Sequence, residues 1–359
     1  MLYQAMIQFK LPWMLLLMLL IPLNSCDNTK SQSSESRNSA IAQTEGNQLA
    51  KIKQRGKLIC GINKQLPGFS YQEPDGSYSG ISVDLCRAIA VALFNDPKQV
   101  EFRHLDAQER FAAVASGKVD LLSRNTTWTM TRDTTGGLDF PPTNFYDGQG
   151  LLVANNNEIE TIEDLNGKSI CVAAKTTSEA NLESQMRKYN LSYNSVTFED
   201  LDQMYQAYES GQCDAATSDR SELVVRRSGM SNSQAHKIID EVLSKEPLGP
   251  VIANNQPEWF DVVEWVSYAL IKAEEMSITS QNVDRLSQSK NPTIRRFLGQ
   301  EEDIGKNLGL NPDFARNIIK QVGNYGEIYD RNIGKPFNLE RGANALVKDG
   351  GLLHAPPFR

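Results

Sequence analysis

From Lys57 onward the apolar positions switch repeatedly between two periods. Short runs such as "KLICGI" (57–62), "QVEFRHL" (99–105) and "VDLLS" (119–123) have the length and composition of strands. Between them apolar residues recur at helical spacing. "ISVDLCRAIAVALF" (81–94) reads as a helix stopped at Asn95, Asp96 and Pro97, and "AQERFAAVASG" (107–117) as one ended by glycine. The segment "LPGFSYQEPDGSYSG" (66–80) carries turn chemistry at Pro67-Gly68 and Pro74-Asp75-Gly76.

The order then returns. "SICVAAKTTSEANLESQMRKY" (169–189) is strand, turn and helix; "SVTFED" (195–200), "LDQMYQAYESG" (201–211) and "CDAATSD" (213–219) continue as strand, helix and strand. "FAAVASGKVDLLSRN" (111–125) echoes "YQAYESGQCDAATSD" (205–219), so the chain reads as two lobes built alike. Strands alternating with helices imply a mainly parallel sheet in each. "GQGLLVA" (148–154) and "PLGPVIA" (247–253) bracket the second unit and are expected to be crossover strands. Beyond Asn254 the chain returns to the first lobe with "WFDVVEWVSYALIKAEEM" (259–276), an amphipathic helix, and a helical stretch over 311–334. The expected division is 51–150 with 253–359 for lobe 1 and 151–252 for lobe 2. The site is expected in a hinged cleft outside the carboxyl ends of the strands.

The amino terminus departs from this pattern. Lys10 precedes the apolar run 11–23, shorter than the ~20 residues of a spanning helix. A secretory signal peptide over 1–25 accounts for it. Its ending, Leu23 to Cys26, resembles a bacterial lipobox, which would make Cys26 a lipidated first residue. A plain cleaved signal with an incidental cysteine stays open. Residues 26–50, polar and rich in serine, read as a flexible tether.

The 359 residues allow two lobes with separate cores, and 40% hydrophobic with 23% charged residues describes an ordinary globular chain. A net charge of −7 without a basic run argues against a nucleic-acid partner. Of five cysteines, four follow Cys26. In an exported chain they are expected to pair within each lobe, Cys60 with Cys86 and Cys171 with Cys213; four free buried thiols are the alternative.

Catalytic and metal motifs are scarce. The three histidines, His104, His236 and His354, are isolated, which disfavours a metal site or a triad. "GKS" (167–169) lacks the glycine a phosphate loop needs, since Ile162 stands there. The sequon Asn125–Thr127 reads as a chance match, and Glu301, Glu302 and Asp303 as a solvated charge run. No cofactor is expected.

Binding chemistry remains. Asn125, Thr126 and Thr127 follow the first lobe's last strand, with Arg132 behind them. Thr176 or Thr177 is placed to cap a helix whose free N–H groups favour an anion. Asp219 ends the second lobe's last strand. A guanidinium grips a carboxylate in bidentate fashion, and a carboxylate partners an ammonium, so Arg132 and Asp219 together describe a zwitterion receptor. Each has a bland alternative: Arg132 paired to Asp133 or Asp139, Asp219 paired to Arg220, Thr177 as a structural cap, Trp128 as core packing.

At "RGKLICGIN", "LPGFS", "ERFAAVASGKVDLLSRNTTWTMTRD", "NFYDGQGLLV", "ESGQCDAATSDRSEL", "KEPLGPV" and "GGLLHAPPFR" the sequence resembles the periplasmic amino-acid-binding proteins of ABC importers, in particular the general L-amino-acid subgroup. The resemblance spans about Lys51 to Arg359. It implies an α/β, two-lobed periplasmic-binding-protein fold of type II, each lobe a mainly parallel sheet flanked by helices, with two crossover strands as the hinge. It also implies a monomer in the periplasm that captures free L-amino acids and docks on membrane permease subunits. Arg132 falls at the carboxylate-binding arginine, Asp219 at the ammonium-binding aspartate, Thr127 and Thr177 at ligand-contacting positions, and Phe69 in the loop lining the ligand side chain. Where relatives usually have glycine before the Thr-Thr pair, this chain has Lys175, which either adds affinity or points to solvent. No cleft charge selecting acidic or basic ligands is evident. The rival readings are a sensory binding protein and, with no obvious general acid or base beyond the clamping carboxylate, an enzyme on the same fold.

Overall fold

Folded structure begins before the expected end of the tether at residue 50. Asn47 accepts a hydrogen bond from Ala50 N and caps α1 (Gln48–Arg55), which Gly56 closes in the left-handed conformation at φ 71°. Leu49 and Ile52 share one helix face and enter the core, so the last residues of the 26–50 segment belong to the domain. The computed structural model describes residues 47–359, which form one unit. The signal peptide expected over 1–25 and the candidate lipidation site Cys26 lie outside the described residues.

The first lobe runs through β1 (Leu58–Ile62), the hairpin β2 (Tyr71–Gln72) and β3 (Tyr78–Ser79), α2 (Ile81–Phe94), β4 (Val100–His104), α3 (Arg110–Ala115), β5 (Leu121–Leu122), α4 (Met130–Thr135) and β6 (Leu138–Asp139). Its sheet has the order β4-β1-β5, all parallel. α2 and α3 supply the crossovers that parallel neighbours require.

The second lobe contains β7 (Phe145–Ala154), β8 (Ser169–Ala173), α5 (Thr177–Lys188), β9 (Asn194–Phe198), α6 (Leu201–Glu209), β10 (Ala215–Asp219), α7 (Arg220–Ser228), β11 (His236–Ile238) and β12 (Ser244–Leu248). Here β10, β8 and β9 are parallel, whereas β7 runs antiparallel to β10, β11 and β12. The sheet is therefore mixed: the crossing strand enters against the direction of the repeat it joins. Along β7 side chains alternate between faces, so Leu151 and Val153 enter one core and Leu152 another.

The chain returns through β13 (Ile252–Ala253), α8 (Pro257–Glu275), α9 (Val283–Leu286), α10 (Pro292–Phe297), α11 (Phe314–Gln321) and α12 (Tyr325–Tyr329). α2 is buried on most faces because α8 and α11 pack on the side that β1 leaves free.

β7 and β12 form the paired crossings, in register from Phe145 opposite Leu248 to Gln149 opposite Ser244. The second crossing thus lies upstream of the expected 247–253. Gly249 and Pro250 end the strand, proline having no N–H for a ladder, and Val251 and Ile252 already pack in first-lobe cores. Both disulfides form as expected, Cys60–Cys86 tying β1 to α2 and Cys171–Cys213 tying β8 to the approach to β10.

Candidate functional site

The strand ends of both lobes converge on a cleft of about 270 Å³. Asn125, Thr127 and Arg132 line it from the first lobe, and Thr176, Thr177 and Asp219 from the second. The sequence-predicted site residues are thus brought together, with one exception described below.

Thr129 caps α4 by accepting from Arg132 N at 3.3 Å, which fixes where the arginine leaves the backbone. Its Nη1 donates to Thr127 O at 2.8 Å, and the guanidinium carbon lies 5.1 Å from the Phe111 ring centre. Among the described residues neither Asp133 nor Asp139 forms an ion pair with it. Burial lowers its pKa, opposed by the charges of Glu246 and Asp219.

Asp219, 5% exposed, is the last residue of β10. Arg220 turns away and donates to Ile239 O at 2.6 Å, so no local pair forms. Asn125 Nδ2 reaches across to Asp219 Oδ2 and to Glu222 Oε2, each at 2.9 Å. Burial pushes the Asp219 carboxyl well above the usual range, reinforced by the charges of Asp147, Glu222 and Glu246. Among the described residues the carboxylate is in no ion pair.

Thr176 is the cap of α5: its hydroxyl accepts from Glu179 N at 3.2 Å and donates to Ala173 O at 2.7 Å. Thr177 and Ser178 follow on the cavity wall, where first-turn N–H groups have no acceptor within the helix. The Thr127 and Thr177 hydroxyl oxygens are 3.1 Å apart, and both donate to Glu246 Oε2. Glu246 Oε1 accepts from Asn181 Nδ2 at 2.8 Å and from the Ser244 hydroxyl.

This carboxylate, 1% exposed, lies behind the two threonines that line the cavity and was missed by sequence reasoning. Its signal lies in "KEPLG", where Glu246 shares the inward phase of Leu248 along β12. Asp147 was likewise missed. It stands directly opposite Glu246 in the β7–β12 ladder, takes hydrogen bonds from Gly148 N and Ser221, and is pushed up to about 6, chiefly by burial.

Phe69 is the exception. Leu66 N donates to Ser70 O at 2.8 Å and Gly68 adopts φ 80°, closing a turn that sends the Phe69 ring inward. It packs edge-on against Phe145 at 5.2 Å in the first-lobe core. Leu66 lines the cavity in its place.

Lys175 adopts the left-handed φ of 58° that explains why glycine suits this position. Its Nζ donates to Gln108 Oε1 at 2.6 Å, so it spans from one lobe to the other. Trp128 is half-exposed beside Phe140. Glu301 and Glu302 pair with Arg295 and Arg296, and among the described residues no cluster suited to a metal ion forms.

Residues 58–282 match the bacterial extracellular solute-binding proteins of family 3. The chain is 47% identical over 87% of its length to the general L-amino acid-binding periplasmic protein AapJ of Rhizobium johnstonii, covering 92% of that protein. It is 44% identical over 87% of its length to the glutamate/glutamine/aspartate/asparagine-binding protein BztA of Rhodobacter capsulatus, covering 93%. An ABC transporter periplasmic binding protein from Brucella ovis, solved with glutathione bound, superposes with a TM-score of 0.85 at 46% identity, over 88% of this chain and 100% of that one. With this match over more than half its length, and with two lobes joined by paired crossings around a cleft, the chain belongs to the bacterial extracellular solute-binding proteins of family 3.

Proposed function

We propose that this protein captures free L-amino acids in the periplasm and delivers them, unaltered, to the membrane permease of an ABC importer. One observation carries the reading. Arg132 on the first lobe and Asp219 on the second line the same cavity, and neither is in an ion pair among the described residues. The ligand carboxylate meets Arg132 and the first-turn N–H groups of α5; the ammonium meets Asp219. With their protons on Glu246, Thr127 and Thr177 offer the ligand lone pairs rather than donors.

A ligand held at both ends bridges the lobes and favours the closed arrangement. Closure excludes water, so both contacts act at lower effective dielectric. The named binding roles of the relatives from Rhizobium johnstonii and Rhodobacter capsulatus support this reading. A lipid on Cys26 would hold the protein at the membrane, and the mass of the mature chain tests that.

Calorimetry against the twenty amino acids tests the function. Arg132→Ala and Asp219→Ala should each weaken binding by about 2–5 kcal/mol, as for breaking a buried charge pair. Wild-type affinity in both variants would reject the assignment.

A further inference from the structure

Beyond residue 282, where the match to the family ends, the chain builds a segment that grips the crossing strand β7. Asn344, 5% exposed, accepts from Tyr146 N through Oδ1 at 2.6 Å and donates through Nδ2 to Tyr146 O at 2.9 Å. The Tyr325 hydroxyl donates to Asn144 O at 2.7 Å, and the Tyr329 ring stacks on Phe145 at 6.1 Å. β10 pairs with β7 only from Gln149 onward, so Asn344 takes the edge that β10 leaves free at Tyr146. A carboxamide bonded to both backbone groups of one residue stands in for a strand partner.

The gripping segment is itself fixed to the first lobe. Arg341 donates through Nε to Asn344 O at 2.8 Å and through both terminal nitrogens to Glu274 of α8 at 3.0 and 3.2 Å. Asn332, in a single π turn over Asp330–Gly334, accepts from Gly80 N at 3.0 Å and donates to Asp84 at 2.7 Å. Lys335–Phe337 then reaches α7 of the second lobe, whose Val225 shares the first-lobe core. One segment thus holds the first lobe, the crossing and the second lobe together. Asp219 stands opposite Gln149, three residues or about 10 Å beyond Tyr146 along β7. The course of β7 past Tyr146 therefore sets where Asp219 lies relative to Arg132.

We propose that residues 325–346 form a brace on the crossing that presets how the two lobes meet, with Asn344 as its positioning residue. Its effect on affinity rests on Arg132 and Asp219 being the ligand clamp; its restraint of the lobes does not. Without the amide, β7 is free to bend before β10 begins, and the clamp groups spend less time at the spacing a ligand spans.

The test uses the full mature chain with its disulfides intact. Spin labels attached through Lys118→Cys and Ser184→Cys, both exposed and one on each lobe, report the interlobe distance distribution without ligand by double electron–electron resonance. Calorimetry with L-glutamine and L-glutamate reports affinity in the unlabelled protein. Asn344→Ala should broaden the distribution and weaken binding of both probes roughly 10-fold, as when about a tenth of the molecules hold the binding geometry. Phe358→Ala removes packing against Trp265 and Phe297 and is the control for lost stability; it should lower the melting temperature and leave the distribution narrow. If Asn344→Ala does not fold, Asn344→Asp reads the same contrast, keeping the acceptor for Tyr146 N and losing the donor to Tyr146 O. An unchanged distribution in the Asn344 variant, or equal broadening in Phe358→Ala, would overturn the brace. A wild type that binds no amino acid refutes the amino-acid reading, while the distance measurement still decides the brace.

Discussion

Asn125 donates through Nδ2 to Asp219 Oδ2 at 2.9 Å, joining the last residue of one lobe's repeat to its counterpart in the other. The two positions are equivalent in "FAAVASGKVDLLSRN" and "YQAYESGQCDAATSD", so each lobe presents a residue at or just beyond its strand end to the cleft. A neutral amide partners the carboxylate without cancelling its charge.

That uncancelled charge has a protonic consequence. Burial and neighbouring acids hold the free Asp219 carboxyl well above the usual range, whereas a bound ammonium favours the ionised form. Binding therefore releases a proton at any pH between the bound and free pKa values. Affinity rises with pH through that interval and levels off above it. Titrations in two buffers of different ionisation enthalpy should give different apparent enthalpies for wild type and the same enthalpy for Asp219→Asn. Buffer-independent enthalpies for wild type across the acidic range would contradict this.

The buried carboxyl of Asp147 makes stability pH-dependent. Asp147 has a folded value of about 6 against an ordinary 3.8, mainly from burial. The unfolded chain loses this proton first, so stability falls as pH rises from about 3.8 and the loss saturates above about 6. The full penalty is on the order of 3 kcal/mol. Asp147→Asn removes it, and urea denaturation should show the variant gaining on wild type across that window. A constant difference would count against the shifted carboxyl.

Glu246 accepts from Thr127, Thr177, Asn181 and Ser244. Glu246→Ala strands buried donors on both lobes and should cost about 2–4 kcal/mol in chemical denaturation. Glu246→Gln keeps one acceptor oxygen and should cost about half as much.

Lys175 allows a backbone test. At φ 58° a Cβ is unfavourable, so Lys175→Gly should be more stable than Lys175→Ala by about 1 kcal/mol. Both variants lack the amine that reaches Gln108, so their comparison isolates the backbone. Equal melting temperatures would show that the strain is absorbed elsewhere.

Much of this architecture follows from local patterns. Strand and helix periods located β1, α2, β8, α5 and α6 to within a few residues, because side-chain phase along an element depends only on nearby sequence. The cysteines paired as expected because each pair falls within a single lobe. That Asp219 and, on the helix after β5, Arg132 line the cleft was legible because strand ends in such sheets and the segments that follow them open onto it.

Directions and partners beyond the local chain were not legible. A single turn decides that Phe69 faces the core and Leu66 the cavity. Thr127 meets Glu246 across 119 residues of sequence, a contact that exists only once β12 is seated against β7. Asp147 opposes Glu246 through the register of that ladder, and among the described residues Arg110 forms no ion pair although Asp106, Glu109 and Asp219 line the same cavity. The sequence by itself determined the elements, their order and the two charges that follow or end the last strand of each repeat. The tertiary structure decided which charges are compensated, because compensation depends on distances between segments that no local period encodes.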